Sequence, residues 1–259
     1  MPERGLEITV REDAFNFSLF FARKCIIIAV GGDYMIKTTS MLIQQYNTYA
    51  NPAAKIARKV KSGDLIPIIK GLYETDRSIP GHYLAGIIYG PSYLSFEFAL
   101  AWHGLIPEAV YTFTSATCGK KRKKQNTTPF GVFTYRDIPT PAFPNGTKLY
   151  EENGYGFVIS SAEKAVCDYL YTCSPCANRK ELRQLLFDNL RIDKEAFRST
   201  DVYEMMKLAE LYHTANHRLG KPCVDDRLPA LRFHRMVWRT DHMGSYRNAA
   251  AAPPDGGSE

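Results

Sequence analysis

Apolar and polar positions change period several times along this chain, and each change marks an element. From Thr39 to Tyr49, "TSMLIQQYNTY" carries Met41, Leu42, Tyr46 and Tyr49 at the spacing of a short amphipathic helix. Asn51-Pro52 then restarts the chain, because Asn caps helix N-termini and Pro suits the first helical position. "AAKIARKVKSG" continues as a second helix with Ile56 and Val60 on its apolar face, and Gly63 is its stop. "LIPIIKGLYE" (65–74) has β-rich composition. Pro67 restricts it to an edge or bent strand, and Lys70-Gly71 reads as a tight turn within it.

A second region opens near Tyr83. Leu94, Phe98, Ala101, Trp102 and Leu105 fall on one helical face, closed by Gly104. "VYTFTSAT" (110–117), "GVFTYRDI" (131–138) and "GYGFVIS" (154–160) read as strands. In "SSAEKAVCDYLYT", Ser160 and Glu163 form a capping box, and Ala162, Val166, Tyr169 and Leu170 give the buried stripe. Asp168 falls off that stripe, four residues after Lys164, and reads as paired or solvated. Two more amphipathic helices follow, one through Leu182, Leu185, Leu186 and Leu190, the other through Val202, Met205, Met206, Ala209 and Tyr212. The expected fold class is α+β. It joins an N-terminal, reduced winged helix-turn-helix to a C-terminal mixed domain with a small β-sheet and several helices. The winged reading rests on the order helix, basic helix, short β-ribbon, one helix short of the full motif.

The ends change the boundaries. "FNFSLFFARKCIIIAVGG" is split by Arg23 and Lys24, so neither half spans a bilayer, and the acidic Glu12 and Asp13 before it do not suit a secretory signal. Gly31-Gly32-Asp33 can be encoded as a bacterial ribosome-binding sequence just ahead of Met35, so residues 1–34 read as leader and Met35 as the start. "NAAAAPPDGGSE" is low-complexity. The expected organisation is leader 1–34, DNA-binding-like domain 35–80, main domain 81–220 and disordered tail 221–259.

Among 259 residues, 45% are hydrophobic and 23% charged, ordinary values for a globular chain, and the net charge is +6. The mild basicity permits a nucleic-acid partner without requiring one. Cys25, Cys118, Cys167, Cys173, Cys176 and Cys223 form no dense framework, so reduced thiols and a cytoplasmic, membrane-free location are expected.

Charge and ligand motifs supply the candidate chemistry. Lys55, Arg58, Lys59 and Lys61 lie off the apolar face of the second helix, and Lys70 sits at the ribbon turn. Lys120, Lys121, Arg122, Lys123 and Lys124 are consecutive and connect two strands as a basic hairpin tip, suited to DNA, RNA or an acidic protein, or simply solvated. Cys173 and Cys176 with His213 and His217 have zinc-ligand spacings, with Cys167 as a rival ligand. The long gap between the pairs favours a helix end and a polar helix face instead, so no metal and no cofactor are expected. His103 reads as a packing or capping residue, and Gly154-Tyr155-Gly156 lacks the third glycine of a dinucleotide loop. With no P-loop and no nucleophile elbow, the pattern points away from an enzyme.

"KVKSGDLIPIIKGLYE", "IYGPSYLSFEFALAWHGLIPEAVYTFTSAT" and "ISSAEKAVCDYLY", in that order, resemble the AbiEi-type antitoxins and related transcriptional regulators of bacterial type IV toxin–antitoxin systems. The resemblance covers about 35–219. It implies a winged-helix DNA-binding domain, repression of the chain's own operon, and an antitoxin domain that counters a cognate nucleotidyltransferase toxin. By position it places DNA contacts on Lys55, Arg58, Lys59, Lys61 and Lys70, and DNA or toxin contact on Lys120–Lys124. The expected partners are therefore operator DNA and, functionally, that toxin. The alternative is a protein- or RNA-binding module without sequence-specific DNA binding.

Overall fold

The structure is a computed structural model that describes residues 36–219. The leader, its proposed start at Met35, the tail and the cysteines at 25 and 223 lie outside the described residues. The fold is α+β with two sheets.

The N-terminal unit follows the local signals closely. Strand β1 (Ile36–Thr38) leads into helix α1 (Thr39–Gln45), capped by the Thr38 hydroxyl accepting from the Met41 N–H. Helix α2 (Pro52–Ser62) starts where Asn51 Oδ1 accepts from the Ala54 N–H at 2.9 Å and ends at Gly63, whose φ of 84° suits glycine. Strands β2 (Ile66–Ile69) and β3 (Leu72–Glu74) turn through Lys70-Gly71. The sheet is antiparallel in the order β1-β3-β2, so Pro67 stands on an edge strand where its missing N–H is tolerated. Leu42, Ile56 and Leu65 form a small core with Tyr46, Val60 and Tyr73. The sheet's other side belongs to the larger core, which includes Ile68 and packs against Ile36, Ile69 and Leu72. Buried Glu74 accepts from the Tyr155 hydroxyl at 3.1 Å, tying the small sheet to the large one.

The large sheet has the order β6-β7-β5-β4-β9-β8, from β4 (Ser92–Leu94), β5 (Thr112–Thr117), β6 (Lys124–Thr128), β7 (Gly131–Asp137), β8 (Thr147–Glu152) and β9 (Tyr155–Ser160). It is mixed: β4 runs parallel to β9 and β5 to β7, and the other pairs are antiparallel. Tyr93 aligns with Ala116 and Tyr135 with Ser115, so these two tyrosines point to opposite faces. Tyr135 donates to the Ala85 carbonyl at 2.7 Å, which seats the 3₁₀ turn Gly81–Leu84 and helix α3 (Ala85–Ile88) on one face. Gly81 is required there, since a Cβ would lie 2.3 Å from Phe113 Cε2 and 2.4 Å from the Phe130 carbonyl. Tyr93 reaches the opposite face, where helix α4 (Phe96–Trp102) packs against helix α5 (Ala162–Thr172). Helices α6 (Arg179–Gln184), α7 (Lys194–Ser199) and α8 (Val202–Glu210) follow, with a π turn at Leu185–Asn189.

Several expectations are corrected. Residues 92–94 are not the start of a helix; they form a short central strand buried on both faces, and an extended Ser95 (φ −156°) precedes α4. Its sequence neighbours suggested a helix because strand pairing across the sheet leaves no local period. Ser161, not Ser160, caps α5, accepting from the Lys164 N–H at 3.2 Å, while Ser160 ends β9. Asp168 is not off the buried face, because α5 buries Lys164 and Asp168 along with Val166 and Leu170. The 120–124 run is not a hairpin tip: β5 and β6 both flank β7 without pairing to each other, and Lys124 is already in β6. His213 stands outside any helix at φ 54°, and only His217 lies in the helical turn at 215–219. Among the described helices none is long and apolar enough to cross a membrane.

Candidate nucleic-acid interface

At about 100° per residue, Arg58 and Lys61 stand away from the buried Ile56 on α2. Both are exposed, and neither has an acidic partner among the described residues. Alanines at 53, 54 and 57 keep the helix slim around them. Arg58 Nε donates to the Ala54 carbonyl at 3.3 Å, which lays the guanidinium along the helix. Lys70 projects from the β2–β3 turn, exposed. The other two candidates are partly engaged. Lys59 Nζ pairs with Asp64 Oδ2 at 2.8 Å; the hydrogen bond and charge raise the lysine's pKa and lower that of Asp64. Lys55 Nζ sits 4.7 Å from the Tyr49 ring centroid. Sequence reasoning gave five equivalent cations. Folding leaves Arg58, Lys61 and Lys70 exposed with no acidic partner among the described residues and engages Lys55 and Lys59 locally.

The second basic cluster is set by the large sheet. Lys121, Arg122, Lys123 and Lys124 are exposed, and Lys120 is half-buried. Tyr89, which no sequence signal picked out, lies beneath Lys120 and Lys124. Asp137, at the end of the adjacent β7, accepts from the Thr117 hydroxyl at 2.7 Å and from the Lys121 N–H.

The described residues most unlike a solvated surface are Lys164 and Asp168, both fully buried and 3.2 Å apart. Asp168 Oδ2 accepts from the Tyr93 hydroxyl at 2.9 Å and the Ser95 hydroxyl at 2.6 Å, and Oδ1 from Tyr212. Lys164 Nζ donates to the Ala142 carbonyl at 2.6 Å and to Tyr212. Burial lowers the Lys164 pKa and raises those of Tyr93 and Tyr212. These groups saturate one another away from solvent. The arrangement is a clamp between β4, α5 and the segment after α8, built to hold the domain rather than to meet a ligand.

The residues with zinc-ligand spacing are held otherwise. His217 Nε2 donates to the Cys167 carbonyl at 2.9 Å, and its Nδ1 accepts from the Thr214 hydroxyl at 2.5 Å. Its ring stacks on Tyr212 at 4.3 Å. Burial pushes its pKa down to about 4. Burial also pushes the Cys173 thiol up to about 11. Asn216 closes the turn around Cys176, accepting from its N–H at 2.7 Å and donating to the Leu170 and Ser174 carbonyls. Among the described residues no three His, Cys, Asp or Glu side chains gather at metal-binding distance. His103 Nε2 lies 2.7 Å from the Ser160 carbonyl, joining the end of α4 to β9.

The depressed His217 pKa sets an acid limit. The unfolded chain takes up this proton near pH 6.5 and the folded chain near 4, so the stabilising share is complete above about 6.5 and is lost as pH falls toward 4. The wild-type thermal midpoint should therefore drop more steeply between pH 7 and pH 4 than that of His217→Gln, whose neutral side chain does not titrate. Parallel curves would contradict this.

These elements define an α+β protein with one basic helix-and-turn surface and one basic loop. No protein-family model matches the chain. No curated protein matches it either. Among solved structures it is similar to the crystal structure of the RV2827C protein from Mycobacterium tuberculosis. The identity is 12% and the TM-score 0.38, over 84% of this chain and 82% of that one.

Proposed function

We propose that this chain is a DNA-binding transcriptional autoregulator and antitoxin of the AbiEi type, acting by binding rather than by catalysis. The observation that carries the reading is the order β1-α1-α2-β2-β3, with a basic α2 whose free charges face away from the core. Strand, two helices and a two-stranded ribbon follow the order of a winged helix-turn-helix, one helix short of the full motif among the described residues. In that arrangement α2 enters the major groove, and the Lys70 turn, as the wing, touches phosphate. The remainder, with its clamp and large sheet, is the antitoxin domain, and the toxin it counters is a nucleotidyltransferase.

The two activities separate by mutation. In cells carrying the chain's own promoter fused to a reporter, wild type should repress the reporter and restore growth when a nucleotidyltransferase encoded beside it is expressed. Arg58→Ala, Lys61→Ala should relieve repression and keep the growth rescue. A chain that neither represses nor rescues would contradict the proposal.

A further inference from the structure

The loop at 118–123 is a second, separately built basic surface. Asp137 pins it from below through the Thr117 hydroxyl and the Lys121 N–H. Gly119 and Lys121 both adopt positive φ, 69° and 57°, so the turn is tight and defined. Lys120 Nζ and Lys124 Nζ lie 5.2 and 4.1 Å from the centroid of Tyr89. That ring is itself held, edge-on to Tyr135 at 5.1 Å, and Tyr135 is bonded to the Ala85 carbonyl. Lys121, Arg122 and Lys123 project into solvent beside it. No acidic residue stands between Glu108 and Asp137 in the sequence. The neighbouring strand β6 is a sheet edge, with Gln125 and Thr127 exposed along it.

We propose that this loop and Tyr89 form a binding site for single-stranded nucleic acid, distinct from α2. Phosphates rest on Lys121, Arg122 and Lys123. A base stacks on Tyr89 as the ammonium groups of Lys120 and Lys124 swing from the ring to the adjacent phosphates. The polar edge of β6 runs beside the strand. A single strand fits better than a duplex because the charge is crowded into one short loop around one aromatic ring. Cations that follow a backbone, with an aromatic ring that takes a base, are how single strands are held without sequence preference. A duplex presents two separated rows of phosphates and no free base face.

The test uses the full chain and labelled oligouridylate and oligodeoxythymidylate of about 10 nucleotides, with a duplex of equal length, followed by fluorescence anisotropy at two salt concentrations. Both single strands, or one of them, should bind with an affinity that falls with salt, and their ratio shows whether ribose matters; the duplex, which α2 also binds, is the control that the loop variants should leave nearly unchanged. Lys121→Ala, Arg122→Ala, Lys123→Ala should weaken single-strand binding about ten-fold or more and reduce the salt slope by about 2. Tyr89→Leu should weaken it roughly five- to a hundred-fold with the slope unchanged. Thermal midpoints verify that both variants are folded, and the triple variant changes only exposed side chains. Absence of single-strand binding, or wild-type single-strand affinity in either folded variant, overturns the proposal. No operator sequence is used, so that failure would leave the reading of α2 standing.

Discussion

Asp168→Ala is expected to destabilise the chain by about 3–5 kcal/mol, because it leaves the Lys164 ammonium fully buried without its counter-charge. A loss of that size is a large part of the roughly 5–15 kcal/mol that a domain has in total. Two tyrosines and a serine lose their acceptor in the same step, which adds unpaired buried hydroxyls. The effect is not a measure of what the pair contributes over an apolar core. Lys164→Met with Asp168→Leu removes both charges and should recover much of the loss. Urea unfolding of the single and the double variant beside wild type tests this. Single and double variants of equal stability would show that the ion pair is not what the helix depends on.

The second large effect concerns affinity. Replacing Arg58, Lys61 and Lys70 together by alanine should weaken binding to upstream DNA by about ten- to a hundred-fold near physiological salt. It should also lower the slope of log affinity against log salt by about 2–3, one counter-ion for each lost phosphate contact. Lys59→Ala should do much less than Arg58→Ala, Lys61→Ala or Lys70→Ala taken singly, since its ammonium already faces Asp64 at 2.8 Å. This contrast separates a specific surface from mere net charge: a bulk charge effect would make all four cations equivalent.

Much of the N-terminal unit was legible because its punctuation is local. Asn51, Pro52, Gly63 and Lys70-Gly71 each act on backbone within a few residues, and the structure uses each as the pattern implied. The strands at 110–117, 131–138 and 154–160 were legible because their apolar and β-branched residues are buried in the sheet. Edge strands β6, "KQNTT", and β8, "TKLYEE", are largely solvated and carry no such period. One usable signal was passed over: Asn153-Gly154, at φ 51° and 79°, is the two-residue turn that closes β8 onto β9. The clamp was hidden for another reason. Asp168 is 75 residues from Tyr93 and 44 from Tyr212, and nothing along the chain announces contacts at that distance. Lys164 and Asp168 at i, i+4 read equally well as a solvated pair, and it is the packing of β4, Ala142 and the segment after α8 around α5 that buries them. Tyr89 joins the basic loop in the same way, through the register of a sheet rather than through sequence.

On the proposed function, α2 and its adjoining turn bind DNA with preference for the chain's own promoter. The direct measurement is a titration of the chain with the duplex from upstream of its own gene and with a scrambled duplex of equal composition, at two salt concentrations. Tighter binding to the upstream duplex is expected, with a steep fall with salt and loss of the preference in Arg58→Ala, Lys61→Ala, Lys70→Ala. Equal affinity for both duplexes, or a triple variant that keeps the preference, would contradict it.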